Sequence, residues 1–396
     1  MKIMLIIFTI VTLLFGVKVE KVEEKYQKSK SCKACHLHIV RDWEQSWHAK
    51  SHYKNDEYFR ASTDYVSRKT RKSLNSVKIK CAACHNPRIS VTSTDMDYEI
   101  IAVMGLDKNS DINKATQSSA ISEGINCVVC HNIDKIHDNK DSLSRGIHRV
   151  TWMKSGTMTG PYDDSNSPYH KVEQRDFMNK KSDKLCFVCH ANDKAVKGLV
   201  FTDMQSEYKK GKKQCVDCHM GPQKMGVAAT LRDRKGKVKK RKIRGHAFAG
   251  AHTQEMWKDA LSLNLKEVKG KVIIQINNPQ PHNIPSGFGS RELIIEISYL
   301  DGATNLDKQS ISLTRHYTRR KGKPTIPHLA EKTSKDMSIP ALGKKVLKIK
   351  KSPGASSVHV RLYYRLVNDE VRSILKLKDA IWSKKMLITS KSLELK

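Results

Sequence analysis

Five times in this chain two cysteines stand three positions apart with a histidine directly after the second. The sets are Cys32, Cys35 and His36; Cys81, Cys84 and His85; Cys127, Cys130 and His131; Cys186, Cys189 and His190; and Cys215, Cys218 and His219. Together they use all ten cysteines. Thiols at this spacing add across the two vinyl groups of a porphyrin and the adjoining imidazole ligates its iron, which is the chemistry of c-type haem attachment. Structural zinc sites and redox dithiols use the same thiol spacing. The histidines decide between them: with 17 His among 396 residues, chance places one after all five pairs roughly once in ten million. A disulfide within any pair would close only a tiny loop, so a disulfide framework is a poor alternative. Five covalently attached haem c groups are expected.

Five proximal histidines leave twelve others, enough to give every iron a second imidazole. Two imidazoles keep an iron low-spin and its potential low, whereas a methionine raises it. His48 and His52 lie four apart in Trp47-His48-Ala49-Lys50-Ser51-His52, on one face of an expected helix, and His48 leads as a ligand to a haem other than that of His36. His246 and His252 flank Ala247-Phe248-Ala249-Gly250-Ala251, whose small residues let backbone approach a porphyrin, and His246 leads there. His170 follows Pro168-Tyr169, and His282 follows Pro281 in a rigid loop. His137 and His148 rank below these, and His316, His328 and His359 read as ordinary strand or loop residues.

The elements that must hold these groups divide the chain. Before residue 258 one haem motif falls in roughly every forty residues, too little polypeptide for an ordinary apolar core, so the porphyrins themselves would form it. Arg41 to Tyr53 and Ser118 to Ile125 read as helices and Gly156 to Tyr169 as loop. Beyond 258 cysteine disappears and alternation begins: Val272, Ile274 and Ile276; Leu293, Ile295, Ile297 and Tyr299; and Val358 to Leu366, with a helix near Asp369 to Ile381. The expected fold is α+β and multidomain. A haem-packed, mainly helical and loop-rich cytochrome domain spans 18–258, and a small antiparallel β-sandwich spans 259–396.

Residues 1–17 read as a signal peptide or N-terminal anchor, because the apolar run Ile3 to Phe15 is too short to span a bilayer as an ordinary helix. Export to the periplasm suits this type of haem attachment, and an uncleaved N-terminus would tie the protein to the outer face of the inner membrane. The chain carries a formal charge of +33. Five haems add about ten propionates, which leaves a strongly cationic surface suited to acidic or membrane-associated redox partners. Nucleic acid is a poor partner for an exported haem protein. Arg232 to Arg244, with nine basic residues in thirteen, reads first as a solvated turn or loop and second as a docking patch.

The run from Cys32 through Trp43, Ser46, His48 and Ala49 resembles the opening of the multihaem cytochromes related to the tetrahaem electron acceptor of hydroxylamine oxidoreductase. Similar segments follow at Cys81 to Pro87, Gly124 to Cys127, Gly160-Pro161-Tyr162 with His170, Cys215 to Met220, Gly245 to Phe248, and His282 to Gly287 with Arg291. The resemblance covers about residues 30–366 and implies distal ligation by His48, His170 and His246. Pro281 departs from the glycine that usually precedes the loop histidine. The leading functional expectation is an electron-transfer cytochrome. The alternatives are an oxidoreductase in which one open haem acts on a small nitrogen or sulfur compound, and a structural subunit of a cytochrome assembly.

Overall fold

The computed structural model describes residues 27–119, 121–138, 145–154, 156–209 and 213–396. The apolar run at Ile3 to Phe15 lies outside them.

The first half is short helices joined by loops and four small strand pairs, and local capping decides where the helices stop. The helix expected over Arg41 to Tyr53 is two, Leu37–Gln45 and Trp47–Lys50. Ser46 between them is extended and its hydroxyl accepts from Ala49 N at 3.2 Å, so it starts a new helix instead of continuing the old one. Ser118 to Ile125 is likewise not a helix. The helix precedes it at Asp111–Gln117, and only the 3₁₀ turn Ile121–Glu123 remains. Gly124 explains the break: its φ is +66°, and a Cβ there would stand 2.5 Å from His48 O. That close approach lets Ile125 N donate to His48 O at 2.9 Å while Trp43 Nε1 donates to Ile125 O at 2.8 Å. The third haem motif is thereby docked against the segment that carries His48.

The small pairs are β1 (Ile133–Ile136) with β2 (Val150–Trp152), β3 (Thr157–Gly160) with β4 (Lys171–Gln174), β5 (Asp193–Lys194) with β6 (Val200–Thr202), and β7 (Lys224–Arg232) with β8 (Val238–Ile243). The expected loop Gly156 to Tyr169 therefore begins with a strand, and it pairs in parallel across the intervening turn. The basic run Arg232 to Arg244 is an exposed turn over 233–237, as expected, but continues as the second strand of the antiparallel β7–β8 hairpin.

The second half is antiparallel sheet, as its alternation indicated. Strands β9 (Ser262–Val268), β10 (Lys271–Asn277) and β14 (Lys344–Lys350) form a three-stranded sheet. Strands β11 (Glu292–Asp301), β12 (Thr304–Thr318), β13 (Lys332–Asp336), β15 (Ser357–Arg365) and β16 (Met386–Glu394) form a five-stranded one, in the order β13-β12-β11-β15-β16. Val272, Ile274 and Ile276 from the first sheet and Leu293, Ile295, Ile297, Val358, Val360, Leu362 and Tyr364 from the second are all buried in one core. The helix near 369 is shorter than expected, Asp369–Leu375, because Lys376 turns to a left-handed φ of 55°.

The same core contains Tyr58, Val66 and Val77 from the first half of the chain. Helix Glu57–Thr70 is the bridge. Tyr58 OH pairs with Ser290 Oγ at 3.0 Å, and the Glu57 carboxylate accepts from Lys378 N, Asp379 N and Trp382 Nε1 at 2.9, 2.9 and 2.7 Å. The segments expected as separate domains thus share apolar packing. Ile295→Ala, which empties a fully buried site between β12 and β15, should lower unfolding free energy by about 2–5 kcal/mol in urea titration. Leu387→Ala, at a position 46% exposed, should change it by about 0.5 kcal/mol or less. Equal effects would mean that this core is not what holds the sheet.

Candidate haem sites

Each motif lies on or at the end of a helical turn: Ser29–Lys33, Leu74–His85, Cys127–His131, Asp183–His190 and Cys215–His219. A helical turn puts residues three and four apart on one face, so both thiols and the imidazole of a motif are offered to the same side. All ten cysteines are free and half-buried. Burial pushes the Cys81 and Cys130 thiols up to about 12. Among the described residues no three His, Cys, Asp or Glu side chains converge as a metal cage would require.

What recurs instead is a pair of opposed imidazoles. His36 faces His170 with ring centroids 6.4 Å apart, His48 faces His190 at 6.3 Å, His131 faces His246 at 6.4 Å, and His219 faces His282 at 6.4 Å. A metal ion held between two imidazole nitrogens at about 2.0–2.1 Å each separates the ring centroids by roughly 6.3 Å. Four of the five motif histidines thus each stand opposite one of the four leading distal candidates, at the spacing a single iron needs. The residues present fit haem.

The tautomers fit as well. Nδ1 of His36 lies 2.7 Å from Ala228 O, that of His131 2.7 Å from Thr159 O, and that of His219 2.7 Å from Ala249 O. A proton held on Nδ1 by a carbonyl leaves the Nε2 lone pair free for a metal. On the opposing side Nδ1 of His246 lies 3.2 Å from Arg244 O, that of His282 2.9 Å from Asn283 O, and that of His170 3.3 Å from Lys171 O. Desolvation disfavours the charged form of six of the eight rings: it lowers His48 to about 3, lowers His190 and His246 to about 4, and also lowers His131, His170 and His282. The carbonyl partners were invisible in the sequence because any residue supplies one.

His85 is different. Its Nδ1 lies 2.7 Å from Ser51 Oγ and the Phe59 ring is stacked on it at 4.1 Å, but among the described residues no imidazole opposes it at the 6.3–6.4 Å of the other four. Burial lowers it to about 4 all the same. Its motif is packed closely: Gly146, with φ +54°, passes so near that a Cβ would fall 1.8 Å from Ala83 O.

The remaining histidines have other partners. His252 lies flat on Trp47 at 3.6 Å, and buried His52 accepts from Lys54 N at 3.2 Å, so the secondary candidates do not oppose a motif histidine. His137 contacts Thr151 Oγ1 at 2.7 Å and His359 contacts Ser392 Oγ at 2.8 Å, while His148 sits in the 3₁₀ turn Gly146–Arg149. His316 lies 3.6 Å from Glu370. His328, expected to be an ordinary loop residue, is instead enclosed by Phe201 and Phe288 at 5.0 and 5.8 Å, with Nδ1 buried and unbonded.

The motifs also adjoin one another. The free thiols of Cys32 and Cys127 are neighbours, as are those of Cys186 and Cys215 and those of Cys84 and Cys189. Cys130 lies within electrostatic reach of Cys186. The first motif therefore meets the third, the third meets the fourth, and the second and fifth both meet the fourth.

The chain has the fold of a known structure. The crystal structure of a penta-heme cytochrome c552 from Thermochromatium tepidum superposes with a TM-score of 0.68 at 21% sequence identity, covering 93% of this chain and 98% of that one. That match runs through both halves, so the sheets of the second half are part of the shared fold and not an addition to it. A superoxide reductase in the oxidised state aligns over 35% of this chain with 8% identity and a TM-score of 0.19, too low to carry an argument. No protein-family model matches the sequence, and no curated protein does either.

Proposed function

We propose that this chain is a pentahaem c-type cytochrome that carries electrons between redox partners on the outer side of a bacterial inner membrane. The observation that carries the reading is the four opposed imidazole pairs at 6.3–6.4 Å, each built on one Cys-x-x-Cys-His motif. Bound haem iron supplies reversible one-electron exchange. The chain supplies the rest: thiols that anchor, and imidazoles that fill both axial positions of four sites. Axial pairs of this kind favour the low-spin state and low potentials, and they leave no position for a substrate. The contacts between motifs support a continuous path, from the first through the third to the fourth, with the second and fifth as branches. Likeness to the relatives of the hydroxylamine oxidoreductase acceptor agrees with this role. Location in the periplasm, by cleaved or retained N-terminus, follows from the attachment chemistry and the apolar run at Ile3 to Phe15.

A second reading, that one haem is open to a small nitrogen or sulfur compound, is favoured by His85 alone. Its ring has no opposing imidazole among the described residues, and the second motif is a branch of the path and not a link within it.

The stoichiometry is the first test. Protein matured in a cell with working haem-attachment machinery should retain five haems through denaturing electrophoresis and intact mass measurement. Four or fewer would remove one motif from the reading.

A further inference from the structure

The charge of the β7–β8 hairpin and its place beside the first motif together define an entry point. Strand β7 touches the proximal side of that motif: Ala228 O receives His36 Nδ1 at 2.7 Å, Thr230 N donates to Cys35 O at 2.8 Å, and Thr230 Oγ1 to Ala34 O at 3.4 Å. Strand β8 touches the distal side, the loop that ends in His170. Tyr162 OH donates to Lys242 O at 2.8 Å, the Arg241 guanidinium lies 4.6 Å over the Tyr162 ring, and Lys239 and Arg241 both pair with Asp164. The hairpin thus holds the His36 imidazole directly and the loop leading to His170 through Tyr162 and Asp164. That site reaches the surface, since His170 is half-buried and Tyr169 beside it is 65% exposed.

Side chains alternate along β8, so Lys239 and Arg241 turn to Asp164 while Lys240 and Lys242 turn away. Among the described residues Arg234, Lys235, Lys237, Lys240 and Lys242 are exposed and pair with no carboxylate. Five unpaired cations on one ribbon, above a haem site, steer an anionic surface to that site.

We propose that the β7–β8 hairpin is the docking surface for an acidic redox protein, which exchanges electrons at the Cys32, Cys35, His36 and His170 site. This rests on the electron-carrier reading above. An acidic protein fits better than a lipid surface, because from Arg232 to Lys237 the tip carries no apolar side chain to enter an interface.

The test uses the holoprotein, with reduced plant-type [2Fe–2S] ferredoxin as the acidic probe and phosphatidylglycerol vesicles as the lipid probe. The hairpin variant carries R234Q, K235Q, K237Q, K240Q and K242Q. A control loses five exposed lysines elsewhere, K332Q, K335Q, K344Q, K348Q and K350Q. Calorimetry at about 20 mM ionic strength should show ferredoxin affinity about tenfold or more lower for the hairpin variant only, with the difference gone at about 0.5 M salt and the haem spectra unchanged. Parent-like affinity in the hairpin variant, or an equal loss in the control, would overturn the docking surface. So would loss of vesicle binding with ferredoxin binding intact. If ferredoxin binds the hairpin as expected but passes no electrons to either protein, the docking surface stands and the electron-carrier reading fails.

Discussion

His48→Ala should convert one iron of five from low to high spin, visible as a new high-spin signal in ferric electron paramagnetic resonance that accounts for about one fifth of the haem. His48 stands 6.3 Å from His190, and desolvation lowers it to about 3, so it is present as the neutral imidazole that iron requires. Alanine leaves the His190 side intact and the thiols of Cys186 and Cys189 untouched, so attachment persists. The potential of that haem should rise by on the order of 0.1 V, within the roughly 0.8 V that axial ligands span. The effect should spread beyond one centre, because the fourth motif is the one that the third, second and fifth all adjoin. Raising the potential there traps an electron at the junction and slows transfer between the ends. His359→Ala, whose ring is held on the sheet by Ser392 Oγ at 2.8 Å, should alter neither spectrum nor rate. Identical spectra for His48→Ala and the parent would remove His48 from the ligand set.

Cyanide should bind the ferric parent protein at one iron and His48→Ala at two. The count follows from geometry. Among the described residues four motif histidines are opposed by a second imidazole and His85 is not, so on the proposed reading the site on Cys81 and Cys84 is the one expected to offer a free axial position. Ser51 Oγ holds Nδ1 of His85 at 2.7 Å and the Phe59 ring stacks on the imidazole at 4.1 Å, which orients it. Titration followed by Soret absorbance should reach its end point with about one fifth of the haem shifted in the parent and two fifths in the variant. No binding to the parent would show that some other side chain closes the His85 site, and the oxidoreductase reading would lose its only support. Binding at more than one iron of the parent would contradict the opposed pairs themselves.

The five Cys-x-x-Cys-His motifs were legible in one dimension because their residues are adjacent in the chain: a helical turn alone brings Cys81, Cys84 and His85 to one side. The β strands were legible for a similar reason, since burial of Val272, Ile274 and Ile276 on one face writes a period of two into the sequence. The basic run Arg232 to Arg244 shows the opposite case. Its composition suggested a solvated turn or loop, which holds for 233–237, yet pairing with Lys224–Arg232 makes Val238–Ile243 a strand, because ladder hydrogen bonds to β7 outweigh the repulsion of charges that alternate between two faces.

Which second histidine stands opposite which motif histidine was decided only in three dimensions. His36 is matched with His170, and its tautomer is set by Ala228 O, 192 positions away, through contacts that leave no mark in either local sequence. Gly124 had to accept a left-handed backbone against His48 O before the third motif could reach the His48 segment, and Ser46 had to start a second helix where the pattern suggested one. The sequence alone determined the chemistry, five thiol pairs each with an imidazole, because that chemistry is local. The tertiary structure decided the ligand pairs, the neighbours of each motif and the singular position of His85, because an axial ligand has to arrive from a distant part of the chain.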